Sequence, residues 1–256
     1  LDGLGIAAQA VSLPPFLMAS CSRDEQLVTE LVRRGNDALA AYSRHDARLL
    51  PLGLVPLGFD GAAAEALRCL DDLGMTGIAI GSRGAAADLD ATVNDALWEV
   101  LAQRRTFVLL HPSAVPDPAR VADFWFPQLL GYPLETAIAA GRLIFSGTLD
   151  RHPLTLCLAH GGGCLPALRG RLDMGWSRKP QARTIERRPS SVLRTLFYDT
   201  AVFDPQLLAR LVEDVGASQV LLGTDHPFDL AETDPIGLLD AARLLPEDRY
   251  AVAEGN

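Results

Sequence analysis

No apolar run in this sequence reaches the ~18 residues that a membrane-spanning helix needs, so no span is expected. No charged amino end followed by a short apolar stretch marks a secretory leader. Cysteine is scarce. Cys21, Cys69, Cys157 and Cys164 are the only four, and no two have C-x-x-C spacing. That argues against a disulfide framework and for reduced thiols in a cytoplasmic protein, with Cys157 filling core space in an apolar run. Basic residues are in deficit, 23 Lys and Arg against 32 Asp and Glu, for a net charge of −9. A surface built to hold a phosphate backbone has the opposite balance, so nucleic acid is not an expected partner. No G-x-G-x-x-G follows the first apolar run, which argues against an open dinucleotide-binding sheet. Internal repeats and low-complexity segments are missing too.

What is present is a composition that can bury a core. Hydrophobic residues make up 48% of the 256 and charged residues 21%. Short apolar runs occupy residues 10–13, 50–56, 77–81, 107–111, 155–160, 196–200 and 220–225. Runs of this length suit strands covered on both faces. Helical patterns lie between them, at residues 61–73, 90–104, 118–141, 205–215 and 235–245. Ser22 and Glu25 have capping-box spacing ahead of a further helix carrying Leu27, Leu31, Ala38 and Leu39. Asp204-Pro205 pairs a capping residue with a first-turn proline, and Gly74 and Gly216 sit at helix ends. Strand and helix thus alternate, which predicts a parallel α/β sheet. Seven strands are countable where a closed barrel has eight. The expectation is one domain over residues 1–256, a distorted (β/α)8 TIM barrel whose first strand is missing. From Leu1 in place of methionine, and an end at Asn256 with no closing element, the expectation is that both termini are cut.

Barrels of this kind carry their reactive groups at the carboxyl ends of the strands. His111 ends the run 107–111, His160 ends 155–160 and Asp225 ends 220–225. A single histidine in such a place is more often a satisfied strand cap than a ligand. Three such groups at equivalent places predict a metal site, since imidazole and carboxylate suit zinc, manganese or iron. A catalytic zinc takes about three protein ligands and keeps one position open. His226 follows Asp225 and should face the other way. His152 and His45 are expected at the surface. Gly161, Gly162 and Gly163 lack the following Lys-Ser/Thr of a phosphate loop, so they read as backbone passing close to the site. Residues 177–194 hold six basic residues against one acid, as a solvated loop or as one facing an anion or a subunit.

The segments LVPL (54–57), VLLHPS (108–113), LCLAHGGGCLPALRGRLD (156–173), FYDTAVFDP (197–205) and VLLGTDHPF (220–228) resemble the aminocarboxymuconate-semialdehyde decarboxylase family of the amidohydrolase superfamily. The similarity covers nearly the whole chain in the same order. The resemblance implies one divalent metal, usually zinc with manganese or iron as alternatives, held by His111 and Asp225. It makes His160 the general acid/base. It places Arg171 on a substrate carboxylate and Phe124, with Trp125 beside it, near the pocket. A His-x-His pair on the first strand, which the family also uses, does not occur in this sequence and is expected upstream of Leu1. A homodimer is part of the same expectation. The activity implied is decarboxylation of a small unsaturated or aromatic acid, with His160 and Asp225 catalytic. Hydrolysis of an amide, ester or lactone by the same groups stays open, as does a non-catalytic barrel with a degenerate site.

Overall fold

A computed structural model describes residues 1–84 and 87–256. They form two compact units, Ala8–Leu156 and Cys157–Asn256 with Leu1–Ala7. In the first, strands β1 (Gln9–Ser12), β2 (Leu49–Gly53), β3 (Gly77–Gly81) and β4 (Phe107–His111) lie side by side in chain order, all parallel. The crossovers carry α1 (Glu25–Ser43), α2 (Ala62–Leu67) and α3 (Asp95–Gln103), and α4 (Tyr132–Phe145) and α5 (Thr148–Arg151) follow β4. Every residue of β3 is buried, as an inner strand covered on both faces requires. Its last residue, Gly81, is in register with His111. Met18, Val28, Val32, Leu52, Leu54, Phe59 and Ala79 form a core cluster that seats α1 on the sheet. Each large apolar side chain buried there contributes about 1.5–3 kcal/mol.

Two local expectations need correcting in this unit. Glu25 is the first residue of α1, and Asp24, not Ser22, caps it. The Asp24 carboxylate accepts from the Leu27 amide at 3.0 Å, while Ser22 Oγ accepts from the Asp24 amide at 3.2 Å. A charged acceptor nearer the helix dipole wins. The helix predicted over 118–141 begins only at Pro127. Phe124 and Trp125 hold φ angles of 54° and 59°, which no right-handed helix accommodates.

The unit boundary falls within β5 (Thr155–Leu158); in the second unit its Cys157 and Leu158 pair with β6 (Phe197–Asp199), and β6 pairs with β7 (Val220–Leu221), again in parallel. Along the chain, α6 (Leu165–Arg178) and α7 (Pro189–Leu193) come between β5 and β6, α8 (Pro205–Val215) between β6 and β7, and α9 (Pro235–Ala241) and α10 (Pro246–Tyr250) after β7. Asp204 caps α8 as predicted, accepting from the Gln206 and Leu207 amides at 2.8 Å each, with Pro205 in the first turn. The basic segment is tied down in several places. Trp176 Nε1 donates to the Ile185 carbonyl at 2.8 Å, the Arg183 guanidinium lies 5.1 Å from the Trp176 ring centre, and Asp173 accepts from the Ser190 amide. Cys69 and Cys157 are buried, and all four thiols are free. No helix among the described residues is long and apolar enough to cross a membrane.

Candidate active site

In the first unit, His111 closes β4 and is half-buried. Its Nδ1 lies 2.8 Å from the Pro112 carbonyl oxygen. A carbonyl only accepts, so the proton sits on Nδ1 and the lone pair is on Nε2, the tautomer of a metal-binding histidine. The Tyr132 ring meets the imidazole edge-on at 6.1 Å. A polar cluster fixes the chain just beyond. The Ser82 and Ser113 amides each donate to the other's hydroxyl, at 3.2 and 3.3 Å, and Ser20 Oγ donates to Ser113 Oγ at 2.5 Å. Ser82 Oγ donates to Glu135 at 3.3 Å. Glu135 is buried, and that burial pushes its carboxyl above the usual range.

In the second unit, the strands stop short of the residues that matter. β5 ends at Leu158 and β7 at Leu221, so His160 and Asp225 stand on loops beyond them. Both have φ of 56°, a left-handed backbone that costs energy in any residue but glycine. Their side chains converge, His160 Nε2 lying 3.7 Å from Asp225 Oδ2, an ion-pair distance longer than a hydrogen bond. The glycines after His160 let the chain lie flat on its neighbours. Gly162 has φ of 77°, and a Cβ there would sit 2.8 Å from Tyr198 Cε1.

Asp199, at the end of β6, escaped the sequence reading as a site residue. Its Oδ1 accepts from the Gly161 amide at 2.8 Å and the Ala201 amide at 3.1 Å. Burial raises its pKa, against the opposing pull of the His160 charge and of backbone donors. For His160, burial alone would lower the pKa, but Asp225 and the charge of Asp199 outweigh it, and the net direction is upward. Only a weak signal marked Asp199, an acid one residue short of the end of the run 196–200.

The other candidates fall elsewhere. Arg171 is exposed on α6. Phe124 is 79% and Trp125 47% exposed in the first unit. His226 is exposed, as is His45. His152 is partly exposed, 17% by side chain, and its Nε2 lies 4.0 Å from Asp95 Oδ1.

A family model for amidohydrolases matches residues 19–256. The chain belongs to the amidohydrolase family. Among curated relatives of this amidohydrolase, 2-amino-3-carboxymuconate-6-semialdehyde decarboxylase of Dictyostelium discoideum is 30% identical over 244 residues, covering 93% of this chain and 68% of the relative. Gamma-resorcylate decarboxylase of Rhizobium sp. strain MTP-10005 is 30% identical over 282 residues, covering 97% and 85%. A dihydroxybenzoic acid decarboxylase of Polaromonas sp. JS666, solved with manganese and the inhibitor 2-nitroresorcinol, superposes with a TM-score of 0.85 at 26% identity, over 99% of this chain and 81% of that one. The fold is therefore the distorted (β/α)8 barrel, to which β1 to β7 contribute seven strands. The resemblance read from the motifs holds. A divalent metal is supported by the manganese-bound relative and by the histidine and aspartate donors of this chain.

Proposed function

We propose that this amidohydrolase is a metal-dependent decarboxylase that releases carbon dioxide from a small unsaturated or aromatic carboxylic acid. The observation that carries the reading is the His160–Asp225 pair, an imidazole held at 3.7 Å from a carboxylate on two strained loops. The donor chemistry fits a divalent cation. His111 has its Nδ1 engaged by the Pro112 carbonyl, and Asp225 supplies a hard oxygen. His111 and Asp225 would hold the ion, with His160 beside it. When bound, the metal supplies Lewis-acid polarisation of substrate oxygen. Zinc is our assignment and manganese the alternative, the latter supported by the relative that holds it.

The protein's own residues move the proton. His160, as imidazolium, delivers it to the carbon bearing the carboxylate. The carbon–carbon bond then breaks, its electron pair returns to the ring, and the carboxylate leaves as carbon dioxide. The net change is one proton for one carbon dioxide. Arg171, with five donors in a planar fork, is assigned to a substrate carboxylate, and Phe124 and Trp125 to the aromatic ring. We place the enzyme in the cytoplasm as a homodimer acting through a single catalytic domain. Four free thiols support the reducing compartment. Leu130, Leu134 and Ile138, four residues apart and 45–48% exposed, support a face for a second copy.

The test is to load the protein with zinc or manganese and follow carbon dioxide from dihydroxybenzoic and unsaturated semialdehyde acids. Release of one equivalent per acid consumed supports the proposal. Turnover of lactones or amides without carbon dioxide replaces it with hydrolysis.

A further inference from the structure

Two groups at the end of β6 reach the backbones that carry the proposed proton carrier and its partner. Asp199 reaches one way. Its Oδ1 takes the Gly161 amide, the peptide next to His160, at 2.8 Å. Thr200, 1% exposed, reaches the other way. Its Oγ1 donates to the Gly223 carbonyl at 3.1 Å and accepts from the Gly223 amide at 3.0 Å. One hydroxyl thus satisfies both backbone groups of a residue two before Asp225, which is why ladder pairing in β7 stops at Leu221. Gly223 itself packs on Asp199, where a Cβ would lie 2.7 Å from Asp199 Cβ. The two strained residues therefore hang from adjacent side chains on one strand end.

We propose that Asp199 and Thr200 form a positioning clamp that sets His160 against Asp225. Neither is a catalytic residue, since neither is assigned to substrate or metal. A left-handed backbone persists only where its surroundings over-determine it. The clamp provides that constraint on both loops from one rigid element. It requires an acceptor of backbone amides at 199 and a hydroxyl at 200. Valine matches threonine in shape but offers no bond, while serine keeps the hydroxyl. The kinetic consequence rests on the decarboxylase reading; the geometric one does not.

The experiment uses the full chain with 15N-labelled histidine, comparing Thr200→Val, Thr200→Ser and Asp199→Ala, which removes the acceptor, with wild type. The His160 ring resonances, assigned through His160→Gln, are expected to shift in Thr200→Val and in Asp199→Ala and to return in Thr200→Ser. In metal-loaded enzyme, kcat of Thr200→Val is expected to fall about 10–100-fold, the usual effect of losing an orienting partner. KM should stay within about twofold, because no assigned substrate contact is touched. Thr200→Ser should recover most of kcat. If Thr200→Val does not fold, Asp199→Ala carries the same resonance test. His160 resonances unmoved in both variants, or a serine variant that behaves like valine, overturn the clamp. Wild type that releases no carbon dioxide while its variants still shift the His160 resonances overturns the decarboxylase reading alone.

Discussion

Two glycines close in sequence should respond to alanine with opposite signs. Gly162 has φ of 77°, and a Cβ there would meet Tyr198 Cε1 at 2.8 Å and Cδ1 at 2.9 Å. The ring cannot retreat: Tyr198 is fully buried, and its hydroxyl donates to the Leu193 carbonyl at 2.8 Å. A left-handed alanine costs about 1–2 kcal/mol. Overpacking a rigid neighbour costs about 1–3 kcal/mol more. Gly162→Ala should therefore lose about 2–5 kcal/mol, a Tm drop of roughly 4–20 °C for a chain of this size. Gly170 lies within α6, and a Cβ there meets nothing within 4 Å. Gly170→Ala should gain about 0.5–1 kcal/mol of helix stability, raising Tm by a few degrees. Thermal melts followed by far-UV circular dichroism compare the three proteins. A Gly162→Ala protein melting with wild type would refute the packing argument, and so would a fall in Tm for Gly170→Ala.

Other outcomes follow from the same structure. Burial holds the Glu135 carboxyl above its ordinary value near 4.5, so ionising it inside the fold costs stability. Glu135→Gln should show no gain in urea midpoint at pH 4 and an increasing gain as the pH rises through that value, with a constant difference across the range speaking against it. Leu130→Ser/Leu134→Ser/Ile138→Ser should shift a sedimentation-velocity boundary from dimer to monomer without lowering Tm, and an unchanged boundary removes that face from the assembly. His111→Ala should lose bound metal, about 10-fold or more in affinity by calorimetric titration, while keeping its melting temperature in chelator.

Much of this was legible in the pattern of residues. The runs 77–81 and 107–111 coincide with β3 and β4, because inner parallel strands are apolar from end to end. His160 and Asp225 were readable as polar groups closing apolar runs. The ends of those runs were not readable as loops. Nothing in Leu222-Gly223-Thr224 announces that a threonine side chain from another strand takes over from the ladder at Gly223. Asp199 was hidden within the FYDT segment, since its role depends on the Gly161 amide, 38 positions away. Phe124 and Trp125 looked helical by composition, and only their left-handed backbone sets the helix start at Pro127.

The step proposed for His160 is delivery of the proton as carbon dioxide leaves. The direct measurement is release of labelled carbon dioxide from carboxyl-labelled 2,6-dihydroxybenzoate by metal-loaded wild type and His160→Gln, with metal content determined on both. Release by wild type is expected, with a rate about 10²–10⁴-fold lower in the variant, the usual contribution of a positioned acid. Equal rates from two proteins with equal metal would contradict it.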